Sequence, residues 1–134
     1  MQVLKGMRRV LRAGNYSQNP QLTSSHPIDV SQTFYIVPPE CRQGAKRAVL
    51  IGINYVGQKG ELSGCHNDCL NMKEYLQEVC GFAEDDIMVL MDDGYHVSPT
   101  RSNILKAYQR LAAASQSGDA VYCHYSGTFL LLHS

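Results

Sequence analysis

The chain has 134 residues, 44% of them apolar, with twelve basic and twelve acidic side chains. That is enough for one domain around one core, and a formal net charge of zero argues against a nucleic-acid or polyanion partner. No apolar run approaches the ~20 residues of a membrane helix, which argues against a membrane protein. The five cysteines, Cys41, Cys65, Cys69, Cys80 and Cys123, are odd in number and follow no apolar h-region with a cleavage site. They read as reduced thiols of a cytoplasmic chain.

Residues 1–44 differ from the rest. They hold five bases against two acids, while the remainder holds seven against ten. In "VLKGMRRVLR", Val3, Met7, Val10 and Leu11 share one helical face with arginines opposite. No acid precedes Asp29, and Ser and Thr cluster at 23–25. This composition fits an organelle transit peptide; the favoured reading is an N-terminal arm or pro-segment, largely irregular. "YSQNPQLTSSHP" reads as loop, and "FYIVPPE" as one short extended segment stopped by its prolines.

From residue 45 the pattern becomes regular. "RAVLIGI" (47–53) is a continuous β-branched and apolar run, the mark of a strand buried on both faces. "CHNDCLNMKEYLQEV" (65–79) spaces Cys69, Met72, Leu76 and Val79 at helical intervals, with Gly81 as a left-handed cap and Phe82 as its apolar partner. "IMVLM" (87–91) is a second buried strand. Thr100 is the N-cap of a helix whose stripe is Ile104, Leu105, Tyr108, Leu111 and Ala112. After a Gly118-Asp119 turn, "AVYCHYS" (120–126) is the third strand.

The order β-α-β-α-β with short connections implies a partial parallel sheet flanked by helices, an α/β fold. Chemistry in such sheets lies beyond the carboxyl ends of the strands. "NYVG", "DDG" and "HYSG" therefore converge on one edge. A phosphate loop of the form GxxxxGK[ST] is missing, and Gly52, Gly57 and Gly60 are wrongly spaced for a dinucleotide site. "CHNDC" lacks the CxxC spacing and the second ligand pair of a zinc site. Cys69 is expected in the core, Cys65 in the turn and His66 in solvent. Asp92-Asp93 reads as turn chemistry. No metal site is expected.

The blocks "AVLIGINY", "LSGCHNDC", "VLMDD", "PTRSNIL" and "GDAVYCHYSG", in this order and spacing, resemble the first half of a metacaspase, a caspase-like cysteine peptidase. The resemblance covers residues 45–127, taken as a partial peptidase domain of a three-layer caspase-like fold. It leaves 1–44 as the arm and 128–134 as an aberrant tail, read as the product of an intron or frame shift. It implies an endopeptidase that cuts after Arg or Lys. A cysteine thiolate attacks the peptide carbonyl, and a histidine activates the thiol and protonates the leaving amine. It also implies that Asp68 and Ser126 line the pocket for the basic side chain of a peptide or protein substrate.

The chain departs from the family at one place. Thr128 stands where the family has the dyad histidine, and Phe129 where it has a glycine of the oxyanion hole. The segment resembling D-C-C-H-S-G, which carries the nucleophile, does not occur. A threonine hydroxyl cannot accept a thiol proton at neutral pH, and Cys123 is expected to be buried and inert. The 134-residue chain is therefore expected to be inactive. Calcium, often needed in the family, is expected to have no ligands here. An open edge at the third strand, with Val121 exposed, suggests association with full-length subunits, or a non-catalytic module that captures basic peptides.

Overall fold

A computed structural model describes residues 2–128 apart from 22, 24–26, 28, 30, 32 and 34. The expectations for Phe129 and the rest of the tail lie outside the described residues. The chain divides into two compact units, Met1–Phe34 and Tyr35–Ser134.

In the first unit, α1 (Gln2–Ala13) is the helix that the apolar spacing indicates. It ends where Asn15 takes a positive φ of 56° and Tyr16 N–H donates to the Leu11 carbonyl at 2.9 Å. The Arg8 guanidinium donates to the Pro20 carbonyl at 3.2 Å, so the following chain folds back along the helix.

The second unit is built on β1 (Lys46–Gly52), β2 (Ile87–Met91) and β3 (Ala120–Ser126), all parallel, in the order β2-β1-β3. The central strand reads as a continuous apolar run because both of its faces are covered: Ala48 through Ile51 are each no more than 1% exposed. The helices α2 (Cys65–Glu78) and α3 (Arg101–Ala114) pack on opposite faces. On one face, Ala48 and Leu50 meet Cys69 and Leu76 of α2, together with Phe82, Ile87 and Met91. On the other, Val49, Ile51 and Leu90 meet Ala107 and Leu111 of α3. Burying a side chain such as Leu50 contributes roughly 1.5–3 kcal/mol.

The caps follow local chemistry. Thr100 Oγ1 accepts the Asn103 N–H at 3.2 Å and starts α3. Gly81, with φ 71°, turns the chain out of α2, and the buried Phe82 donates its N–H to the Leu76 carbonyl at 3.0 Å. Two apolar stripes differ from expectation. In α3 the buried face is Ile104, Ala107, Tyr108 and Leu111, while Leu105 and Ala112 are exposed. In α2, Val79 is exposed and Cys65 is buried. Leu105 and Ala112 sit one position off the buried row of α3 and point past the sheet, whereas Val79 is the C-cap, beyond the last residue of α2. "FYIVPPE" forms no strand among its described residues. Pro39–Cys41 is a 3-10 turn, and Ile36 and Val37 pack on the α2 side of the core.

β3 is covered on one side only. Val121, Cys123 and Tyr125 alternate as its exposed face. Cys123 is thus not buried as expected. Cys123 shares its face with Val121, whose exposure was expected, because side chains two positions apart on a strand point the same way.

Candidate functional site

β1 connects to β2 across one face of the sheet, and β2 returns to β3 across the other. The chain therefore switches direction between β1 and β3, and the region beyond their carboxyl ends is where ligands bind in such sheets. Gly52 ends β1 directly opposite Ser126 in β3. A Cβ on Gly52 would lie 2.7 Å from the Cys65 carbonyl oxygen and 2.9 Å from Cys69 Sγ. The bare glycine lets the first turn of α2 press against the strand end, and that turn carries Asp68.

Asp68 and Ser126 come together in the fold. Ser126 Oγ donates to Asp68 Oδ2 at 2.6 Å across 58 positions of sequence. The carboxylate is exposed, and among the described residues no cationic side chain pairs with it. It holds one hydroxyl and presents its remaining lone pairs to solvent. An ionised carboxylate beside a hydroxyl, at the carboxyl end of the sheet, suits an ammonium or the fork of a guanidinium. Behind it, His124 has a buried Nε2 with no partner among the described residues. Burial pulls its pKa down, against the pull of the Asp68 charge, so the ring is neutral at pH 7.

The loop between β1 and α2 is tied down by residues whose role spacing alone does not reveal. Asp92, one residue past β2, accepts the Asn54 N–H at 2.9 Å and the Val56 N–H at 3.2 Å. His66 Nε2 donates to the same carboxylate at 2.6 Å. His66 is therefore paired rather than solvated, and Asp92 is a clamp as well as a turn residue. Burial pushes the Asp92 carboxyl up, but the hydrogen bonds from His66 and the loop backbone outweigh it, and the net shift is downward. Asn54 also caps α2, accepting the Cys65 N–H on Oδ1 at 3.0 Å. Cys65 is thus the first residue of the helix and buried, not a turn residue.

Tyr55 closes the network. It has a φ of 57°, uncommon for a residue with a side chain. Its hydroxyl donates to the Thr128 carbonyl at 2.6 Å and lies 3.5 Å from the Tyr125 hydroxyl. "NYVG", "DDG" and "HYSG" do converge, through Asn54–Asp92 and Tyr55–Tyr125, with Thr128 just beyond the third. Asn-Tyr directly after a buried strand was the available signal. Its partners were hidden because they lie 38 and 73 positions away.

Neither Cys69 nor Cys123 is placed as an activated nucleophile. Burial, with Asp68 and Cys65 adding to it, pushes Cys69 up to about 12. Partial desolvation by its neighbours also raises Cys123, although the residue as a whole is exposed. Cys80 lies at the opposite end of the sheet, where its carbonyl accepts from Lys46 Nζ at 2.9 Å. Cys41 ends the 3-10 turn next to Gly44, before β1 begins. Among the described residues no group of three or more His, Cys, Asp or Glu side chains is arranged to hold a metal ion.

A parallel α/β sheet with helices on both faces and a carboxylate–hydroxyl pair at its switch point is the architecture of a caspase-like peptidase domain. The sequence model of the metacaspase peptidase C14 domain matches residues 46–131, and the chain belongs to the metacaspase family. It is 52% identical over 128 residues to Metacaspase III c of Phaeodactylum tricornutum, covering 95% of this chain and 38% of that protein. It is 46% identical over 86 residues to Metacaspase-1 of Emericella nidulans and Metacaspase-1A of Neurospora crassa, covering 63% of this chain and 21% and 19% of those proteins. The chain therefore spans well under half the length of these relatives. A match over 95% of the chain takes in most of residues 1–44, so the likeness is wider than the five motif blocks. The family match also runs past Gly127, to residue 131.

Proposed function

We propose that this chain supplies the substrate-recognition part of a cysteine endopeptidase that cuts after arginine or lysine. Asp68 receives the basic side chain and Ser126 orients the carboxylate. The observation that carries this reading is the exposed Asp68 carboxylate, held by one serine hydroxyl and paired with no described cation. A guanidinium would engage the free Oδ1 and share Oδ2 with the Ser126 hydroxyl. Citrulline has the same shape without the charge and would lose the charge-assisted bonds.

The chemical step needs a thiolate and a base. Residue 128 is a threonine, and its carbonyl is taken by Tyr55. Cys69 and Cys123 have raised pKa values. On this reading the 134-residue chain binds basic peptides without cutting them, and catalysis requires further sequence carrying the dyad. Acidic ligands for calcium would come from that further sequence too.

The test is to incubate the purified chain with a blocked peptide bearing a fluorogenic group after arginine, and to titrate it with acetyl-arginine amide and acetyl-citrulline amide. The expected result is no hydrolysis above buffer and a preference for arginine of roughly three- to fivefold, the scale of a part-exposed ion pair. Hydrolysis that disappears in Asp68→Asn would contradict the inactive reading.

The exposed face of β3 supports a second reading. Val121 and Tyr125 stand 47% and 38% exposed on a strand paired along one edge only. On this reading the chain adds its open edge to a longer metacaspase subunit. Co-purification with a longer subunit, abolished by Val121→Lys, is the expected result. Retention with that substitution would sink it.

A further inference from the structure

A feature far from the protease site carries a different kind of function. On α1, Lys5, Arg8, Arg9 and Arg12 fall within about one third of the helix circumference at 100° per residue. They line a cavity of about 350 Å³. Arg8 Nη2 is held by the Pro20 carbonyl, while its Nε is buried without a partner among the described residues. The helix has no acid in its first turn, and the sequence holds none before Asp29. Among the described residues no acid forms an ion pair with these four cations. The other face is apolar and partly in water: Met7 is 49% and Val10 is 66% exposed, with Leu4 and Leu11 half-buried.

A soluble helix normally hides its apolar face in a core and leaves its charges in water. Here both faces await partners, and the two partners differ in chemistry. An anionic bilayer surface offers both together. Its phosphates meet the cations, and the acyl boundary just beneath takes Leu4, Met7, Val10 and Leu11. The lack of a spanning apolar run excludes a transmembrane helix among the described residues. It says nothing against a helix lying in the plane of the interface.

We propose that α1 is an interfacial anchor that docks this chain on bilayers rich in anionic phospholipid. The phosphodiester headgroups sit against Lys5, Arg8, Arg9 and Arg12. This inference does not rest on the peptidase reading, since it uses neither Asp68 nor Ser126.

The test is flotation of the full chain with phosphatidylcholine vesicles carrying about one third phosphatidylglycerol. Floating material is vesicle-bound, whereas aggregate stays at the bottom. The chain should float with these vesicles at low salt and be released at high salt. It should not float with pure phosphatidylcholine. Arg9→Gln should lower the partition coefficient roughly fivefold, the equivalent of one lost surface charge. Val10→Ser should lower it as well, because the apolar face contributes in parallel. Four outcomes would overturn the proposal. One is failure to float with the anionic vesicles. A second is equal flotation with neutral vesicles. A third is release by millimolar inorganic phosphate at constant ionic strength, which marks a free-phosphate site. The last is binding to polyglutamate in place of vesicles, which marks an acidic protein partner.

Discussion

At the amino-terminal end of the sheet, Asp119 is compensated by an arginine and by backbone N–H groups. Its carboxylate accepts the Ala45 N–H at 2.9 Å, the Gln116 N–H at 3.0 Å and the Arg47 guanidinium at 2.7 Å, and its side chain is 4% exposed. At the carboxyl end, Asp68 holds a single hydroxyl and faces water. Both acids join β3 to another element, but only one retains the means to bind something else. A carboxylate consumed by backbone N–H groups and an arginine is a structural tie. One that is pre-oriented but uncompensated can accept a ligand, as the proposed receptor role of Asp68 requires. Asp92 lies between these cases, holding three donors and fixing the loop beside Asp68.

The largest expected effect comes from breaking the tie. Asp119→Ala leaves two loop N–H groups and a part-buried guanidinium unpaired where β1 and β3 begin. The thermal midpoint should fall by roughly 10 °C, followed by circular dichroism. If Asp68→Ala costs as much, the distinction between the two ends is lost.

Gly52→Ala should be next. The added methyl meets the Cys65 carbonyl and Cys69 Sγ inside ordinary contact distance. The cost is about 1–3 kcal/mol in urea melts, and arginine preference should fall as well because the first turn of α2 shifts. Lost stability with unchanged preference would uncouple that turn from the receptor.

The pH dependence separates the ends further. Burial raises the Asp93 carboxyl, but the N–H groups of His96 and Tyr95 and the His96 ring outweigh it and bring it to about 2, below its usual 3.8. A carboxyl depressed on folding adds stability above its unfolded pKa and loses it as pH falls through the folded one. Midpoints of the wild type and Asp93→Asn should differ at pH 7 and converge between about pH 4 and 2. Parallel curves over that range would contradict this.

The smallest effect is expected at Tyr55→Phe, which removes the hydroxyl from the Thr128 carbonyl at about 0.5–1.5 kcal/mol. Burial first, and then the Tyr55 hydroxyl, push Tyr125 up to about 12. Its ionisation, followed by phenolate absorbance, should move down in the variant. An unmoved titration would show that the Tyr55–Tyr125 contact is not made in solution.

The contrast between the ends also explains what the sequence makes legible. The three strands can be read almost to the residue because continuous apolar runs follow from burial of the strand itself. The convergence of three loops on one edge follows from parallel topology, and Asp68 and Ser126 follow from family resemblance. The clamp around Asp92 was not legible. Asp92, Asn54 and His66 are each ordinary in a turn or a first helical turn, and only the fold shows that they share one carboxylate. Cys123 was misplaced for a different reason. Strand periodicity puts it on the face of Val121, whose exposure was expected. Leu105 and Ala112 in α3 lie at the margin of an apolar stripe, and local pattern does not say which margin the sheet covers.

The most direct test of the receptor reading is a calorimetric titration of Asp68→Asn with acetyl-arginine amide and acetyl-citrulline amide, beside a thermal melt of the same variant. The account predicts that the preference for arginine disappears while the midpoint stays within about 2 °C of the wild type. A preference that survives in a folded Asp68→Asn chain would place the receptor for the basic side chain elsewhere.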